Sequence, residues 1–211
     1  MIDVDVLRSR VTAFDRRAAA GTRRAAVAIA IVPVQGGWGA VLEERPATIS
    51  SHAGQYALPG GLVDPGEAAS VCALRETREE LGVDPSVWEV LGQLDDYVTA
   101  GGTVVTPVVL FSAHQVRFRP SVAEVHAVLL LDLGTAAPDV QLSPPQEQPF
   151  AVEGAWPARS IVVDRLRLFA PTGAIVHQFL QLAHRGATVR VDDFREPAFA
   201  DGRGVALENN A

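Results

Sequence analysis

Between Gly61 and Val83 the chain reads GLVDPGEAASVCALRETREELGV, and no other stretch limits its fold so tightly. Pro59, Gly60 and Gly61, then Asp64-Pro65-Gly66, interrupt any regular element that would run through them. A helix is predicted from about Glu67 to Leu81, with Gly82 where a C-terminal glycine belongs. At about 100° per residue, Glu76, Glu79 and Glu80 fall within an arc of roughly 100°. Like charges crowded on one face destabilise a helix unless a cation sits among them. Carboxylate oxygens suit hard ions, so Mg²⁺ or Mn²⁺ is the expected partner. Arg75, next to the cluster, is placed to pair with a carboxylate and orient it. Ala69, Ala73, Leu74, Thr77 and Leu81 form the adjoining sector, small enough in part for the helix to lie close to a sheet. The Gly60-Gly61 pair lets backbone approach the ion, so a glycine carbonyl is an expected ligand.

The elements around this stretch are those of one α/β domain. Val6, Leu7, Val11, Phe14 and Ala18 give a loose helical spacing, so Val4 to Ala20 is predicted as an amphipathic helix packed on the main body. Ala25 to Val34 is an apolar run rich in Val and Ile, a buried strand. Gly36-Gly37 turns it into a second strand, Trp38 to Leu42. Glu43 to Gly61 reads largely as loop. Further strands are expected near Trp88 to Leu94, Val104 to Ser112 and Val125 to Leu131, with Gly101-Gly102 as a hairpin turn. Ala136 to Pro149 carries four prolines and reads as an exposed loop. A last helix is expected near Thr172 to His184. The expected organisation is a single domain over 1–211: a helical extension at 1–22, a core at 23–185 and a tail at 186–211 that frays beyond Pro197.

The stretch also matches the Nudix box through Gly61, Glu67, Arg75, Glu76, Thr77, Glu79, Glu80, Gly82 and Val83, with Thr77 at an apolar position as the soft match. The chain therefore resembles Nudix hydrolases. That resemblance implies an α/β/α sandwich with a central mixed sheet. It implies hydrolysis of a pyrophosphate bond in a small nucleotide-derived substrate. It makes Glu76, Glu79 and Glu80, with the Gly60 carbonyl, the metal ligands and Arg75 the residue that orients the glutamates. Glu67 is left open between a helix cap and a support for the site. A homodimer is a family expectation.

His52-Ala53-Gly54-Gln55 ahead of Pro59-Gly60-Gly61, and Leu91 to Leu131 with Thr106-Pro107-Val108-Val109 and Glu124-Val125, resemble the coenzyme A pyrophosphatase branch. His52, Gly54, Gly61 and Glu124 are accordingly expected to border the substrate. Glu124 would reach the site from a loop between strands; a solvated loop glutamate is the alternative. The branch carries an upstream signature, LLTxxSxxxRxxxGxxxFPGG. Here Glu43 stands at its threonine, Pro46 at its serine, Ser50 at its arginine and Leu58 at its phenylalanine. Loss of the arginine removes an expected phosphate contact. ADP-ribose, a dinucleotide or another nucleotide derivative is thus a competing substrate, and a Nudix-fold binding module without turnover a competing function.

Other residues read more plainly. The net charge of −7 argues against a general nucleic-acid binder. No apolar run is long enough to span a bilayer, the acidic start resembles no signal peptide, and one cysteine forms no internal disulfide, so a cytoplasmic protein is expected. Cys72 is expected to pack rather than react. Arg23 and Arg24 read as a solvated strand entrance rather than phosphate contacts. Trp38, Trp88 and Trp156 read as packing residues.

Overall fold

The computed structural model describes residues 2–46, 55–134, 141–142, 160–163, 166–192 and 194. In chain order the elements are α1 (Val4–Thr12), β1 (Arg24–Val34), β2 (Gly37–Glu44), β3 (Tyr56–Ala57), β4 (Gly60–Leu62), α2 (Ala69–Leu81), β5 (Glu89–Gln93), β6 (Tyr97–Val98), β7 (Val104–Phe111), β8 (Ala127–Asp132), β9 (Gln141–Leu142), β10 (Ser160–Val163), β11 (Leu166–Phe169) and α3 (Thr172–Arg185). The main sheet runs β3-β2-β1-β7-β5, with β4 on β1, β6 on β7 and β8 on β2. Its central pair, β1 and β7, is parallel from Arg24↔Val104 to Ile31↔Phe111, while the neighbouring pairings are antiparallel. β9, β10 and β11 form a second small sheet.

The alternation of β1 explains the layering. Ala26, Ala28, Ala30 and Val32 point to one face and pack with Cys72, Ala73 and Leu81 of α2. Ile29 and Ile31 point to the other, among Leu7 and Val11 of α1 and Phe179 and Leu180 of α3. A strand covered on both faces reads as a continuous apolar run, as β1 does. The alanines matter for the site, because small side chains on β1 and on α2 let helix and sheet approach closely. The α/β/α sandwich with a mixed sheet is therefore present as expected.

Several boundaries differ from expectation. α1 ends at Thr12 rather than Ala20. The Arg17 amide donates to Asp95 Oδ1 at 2.7 Å and the Ala19 amide to Asp96 Oδ2 at 2.9 Å, so long-range carboxylates take the donors that a continued helix would use. α2 starts at Ala69, not Glu67, because the Glu67 amide closes a turn on the Asp64 carbonyl at 3.0 Å, next to Gly66 at φ 80°. The stretch from Glu43 to Gly61, expected as largely loop, extends β2 by Glu43 and Glu44 and supplies β3 and β4. Within the expected loop 136–149, Gln141 and Leu142 pair with β10; the rest of it lies outside the described residues. The turn at Gly101-Gly102 is present, closed by the Thr99 amide donating to the Thr103 carbonyl at 2.9 Å. Trp38 stacks at a tilt on Phe111 at 4.9 Å, Trp88 is buried, and Trp156 lies outside the described residues. No described helix is long and apolar enough to cross a membrane.

Candidate functional site

Two glycines set the geometry. β4 lies antiparallel on β1 with Ala26 opposite Gly61 and Val27 opposite Gly60, and the Ala28 amide donates to the Pro59 carbonyl at 2.7 Å. A Cβ at Gly60 would lie 2.3 Å from the Ala26 carbonyl oxygen, so a side chain there would force the strands apart. A Cβ at Gly61 would lie 2.2 Å from Glu76 Oε1. The first glycine lets the sheet close, and the second leaves the space a carboxylate occupies. The Gly60 amide donates to Glu80 Oε2 at 2.8 Å, which brings its peptide beside the glutamate helix.

α2 reaches this strand through its small face. Cys72 Sγ is 3.5 Å from the Leu62 carbonyl oxygen, and burial pushes its thiol up to about 11, so it packs as expected. Thr77 is fully buried, yet its hydroxyl donates to the Leu74 carbonyl at 2.9 Å. That bond satisfies the polar atom and explains how threonine fits an apolar position. Gly82 closes the helix at φ 67°.

Arg75 organises the carboxylates. Its Nε and Nη2 donate to Glu67 at 3.0 and 3.1 Å. Nη1 donates to Glu76 Oε1 at 2.7 Å and Glu79 Oε2 at 3.0 Å, and Nη2 also reaches the Leu62 carbonyl at 3.0 Å. The Arg75 guanidinium, helped by the Asp64 amide, holds Glu67 down to about 2. Helix α2 has no side-chain cap, so Glu67 fixes Arg75 instead of capping.

The box glutamates differ in burial. Glu80 is 8% exposed, Glu76 is nearly as enclosed, and Glu79 faces solvent. Burial, then the charges of Glu43, Glu76 and Glu124, push Glu80 up to about 8, against the opposing Gly60 amide. Burial also raises Glu76 despite Arg75. Glu124 is exposed on the turn before β8, and its charge acts on Glu43, Glu76 and Glu80. Glu43, which enters the sequence comparison only as a mismatch, is buried among them at 2% exposure. Its signal lies in the strand register, which puts it opposite Ala57 and Val128, just before the glycine strand and just after the Glu124 turn.

Among the described residues, no three of His, Cys, Asp or Glu are already drawn into a metal-holding arrangement. The donor set nonetheless fits a hard divalent ion. Glu76 and Glu80 are oxygen donors from one helix face, repelled by Glu43 and Glu124, with a glycine strand beside them that no side chain shields. Buried carboxylates in mutual repulsion are what a cation would relieve.

His52 and Gly54 lie outside the described residues. Arg24, at the start of β1, keeps its side chain 36% exposed, and its guanidinium also donates to Asp96 Oδ2 at 3.4 Å, Thr106 Oγ1 at 3.3 Å and the Ala19 carbonyl at 3.3 Å.

Sandwich, glycine strand and arginine-ordered glutamate helix together define a Nudix fold. The chain belongs to the Nudix hydrolase family, whose NUDIX domain matches residues 22–159. It is 41% identical over 117 residues to the uncharacterized Nudix hydrolase NudL of Escherichia coli K12, covering 54% of this chain and 59% of that protein. The match to NudL of Shigella boydii serotype 18 has the same extent. The chain thus spans about three fifths of the length of these curated relatives. A Nudix hydrolase structure from Nitrosomonas europaea superposes with a TM-score of 0.52 at 17% identity, over 82% of this chain and 77% of that one, and shows the shared fold. The family is generally dependent on divalent metal.

Proposed function

We propose that this protein hydrolyses the pyrophosphate linkage of a small nucleotide-derived substrate with Mg²⁺ or Mn²⁺, and that coenzyme A or a close relative is that substrate. The observation that carries the reading is the pair Glu76 and Glu80, enclosed against the Gly60-Gly61 strand, with Arg75 holding Glu76. In the reaction a water oxygen adds to one phosphorus and the bond from that phosphorus to the bridging oxygen breaks. The bridging oxygen leaves with the other phosphate, and the water's proton passes to a carboxylate or to solvent. A bound divalent ion supplies neutralisation of phosphate oxygens and a more acidic water. Glu76, Glu80, Glu79 and the Gly60 carbonyl are the residues that would hold it. Arg75 keeps Glu76 and Glu79 from drifting apart, and the Gly60 amide fixes Glu80.

The coenzyme A assignment rests on the branch resemblance around Gly54, Pro59-Gly60-Gly61 and Glu124. The signature arginine is Ser50 here, but Arg45, directly after β2, has a buried Nε with no hydrogen-bond partner among the described residues. We assign Arg45 as the donor to a substrate phosphate. For coenzyme A the products would be adenosine 3′,5′-bisphosphate and 4′-phosphopantetheine.

A panel of coenzyme A, acetyl-coenzyme A, dephospho-coenzyme A, ADP-ribose, NADH and a dinucleoside polyphosphate, assayed with each metal and read by product mass, tests the reading. Cleavage of coenzyme A well above dephospho-coenzyme A is expected. Preference for ADP-ribose or a dinucleotide would keep the chemistry and replace the substrate. Metal binding without turnover of any member would favour a ligand-binding module.

A further inference from the structure

Glu43 sits on β2 where the upstream signature has threonine, and the exchange changes what that position demands. A threonine hydroxyl is neutral and one neighbour can satisfy it. A glutamate places a charge and two acceptors in a site only 2% exposed. Its Oε2 has no hydrogen-bond partner among the described residues. Burying an unpaired acceptor is costly, so such an atom calls for an explanation. Arg45 offsets part of the charge. The remaining charged neighbours that act on Glu43 are Glu124 and Glu76, and Glu43 is the charge that acts most on Glu80. Val41, two residues earlier on β2, packs with Cys72, Ala73 and Leu81 of α2, so strand alternation presents Glu43 on the face that carries the glutamate helix.

We propose that Glu43 is a further oxygen donor to the divalent-cation site, so that the ion is held from β2 as well as from α2. This rests on the metal-dependent reading above and adds a ligand that the box does not contain. Arg45 follows directly after the strand that presents Glu43, so one short segment would contact both the ion and the substrate phosphate.

The test is Mn²⁺ binding to the full chain without substrate, followed by calorimetry and by the electron paramagnetic resonance of free Mn²⁺. Glu43→Gln and Glu43→Thr are expected to bind Mn²⁺ at least tenfold more weakly than the unmodified protein. Both are expected to melt no lower in the metal-free state, because an unpaired buried charge is gone. Glu44→Gln, the same charge change one residue along, is expected to bind as the unmodified protein does. Binding within tenfold for both Glu43 variants, or an equal loss in Glu44→Gln, overturns the proposal. Loss of binding in Glu80→Gln with both Glu43 variants unaffected would sink the Glu43 assignment alone. No Mn²⁺ binding by the unmodified protein would sink the metal-dependent reading with it.

Discussion

Two buried acidic regions flank the main sheet, and they are built in opposite ways. Between β5 and β6, Asp95 and Asp96 are almost fully enclosed. Asp95 accepts from Arg190 at 3.0 Å, Gln178 at 2.8 Å and the Arg17 amide. Asp96 accepts from Arg16, Arg24, Thr106 Oγ1 at 2.7 Å and the Ala19 amide. Burial alone would raise Asp96, but these donors outweigh it and hold the carboxyl below its usual range. At the other region Glu43 and Glu80 are just as enclosed, yet both are pushed up, to about 7 and about 8. The aspartates have their counter-charges within the chain. Glu43 has the partial offset of Arg45 and Glu80 the Gly60 amide, and neither outweighs burial, so their charge is left for something the chain does not supply. Burial of acid is common to both; only the second reads as a place where a ligand belongs.

This contrast is open to direct attack. The largest effect is expected from Asp96→Ala, which strands Arg16 and Arg24 and should lower stability by about 3–5 kcal/mol in a denaturant melt, with kcat/KM of the folded protein kept. A depressed carboxyl stabilises above its unfolded value, near 3.8, and loses that contribution as pH falls further. The stability gap between Asp96→Asn and the unmodified protein should therefore shrink below pH 3.8; a gap that widens there would break the assignment. Next, Glu80→Gln should lower kcat/KM about 100-fold without lowering the melting temperature, because it removes repulsion. A melting temperature that drops as far as that of Asp96→Ala would put the two regions in one class. Mn²⁺ at ten times its dissociation constant should stabilise the protein by about 1.4 kcal/mol, a gain that Glu80→Gln loses and Asp96→Asn keeps. The smallest effect is expected from Arg190→Ala, about 1 kcal/mol, since Asp95 retains Gln178 and the Arg17 amide.

How far each region could be read from sequence follows from the range of its interactions. α2 was legible because its glycines, its carboxylate face and its small face lie within one contiguous stretch. β1 was legible for the same reason, as an unbroken apolar run. The end of α1 was not, because Asp95 and Asp96 are distant in sequence and no local pattern at Asp15 to Ala20 announces them. The bonds of Arg24 to Asp96 were hidden on the same ground. β3 and β4 are too short to show a period, and only their pairing with β2 and β1 makes them strands. β10 and β11 likewise escaped a reading by pattern. Glu43 shows the limit most sharply. In a one-dimensional comparison it is a mismatch at a threonine; in the folded chain, strand register turns it towards Glu80.

The parallel pairing of β1 with β7 has a consequence for the order in which the molecule can be made. Arg24 to Ile31 cannot find Val104 to Phe111 until the intervening chain, with α2 inside it, has left the ribosome. Closing a loop of that size has an entropic cost, repaid only when the contacts form, and pairings of this kind slow folding. Until then only β2 and the short β4 can pair with the edges of β1. The nascent glutamate helix can dock on β1 and β4 before β7 joins them, and the window of greatest vulnerability to aggregation should close once Phe111 has left the ribosome.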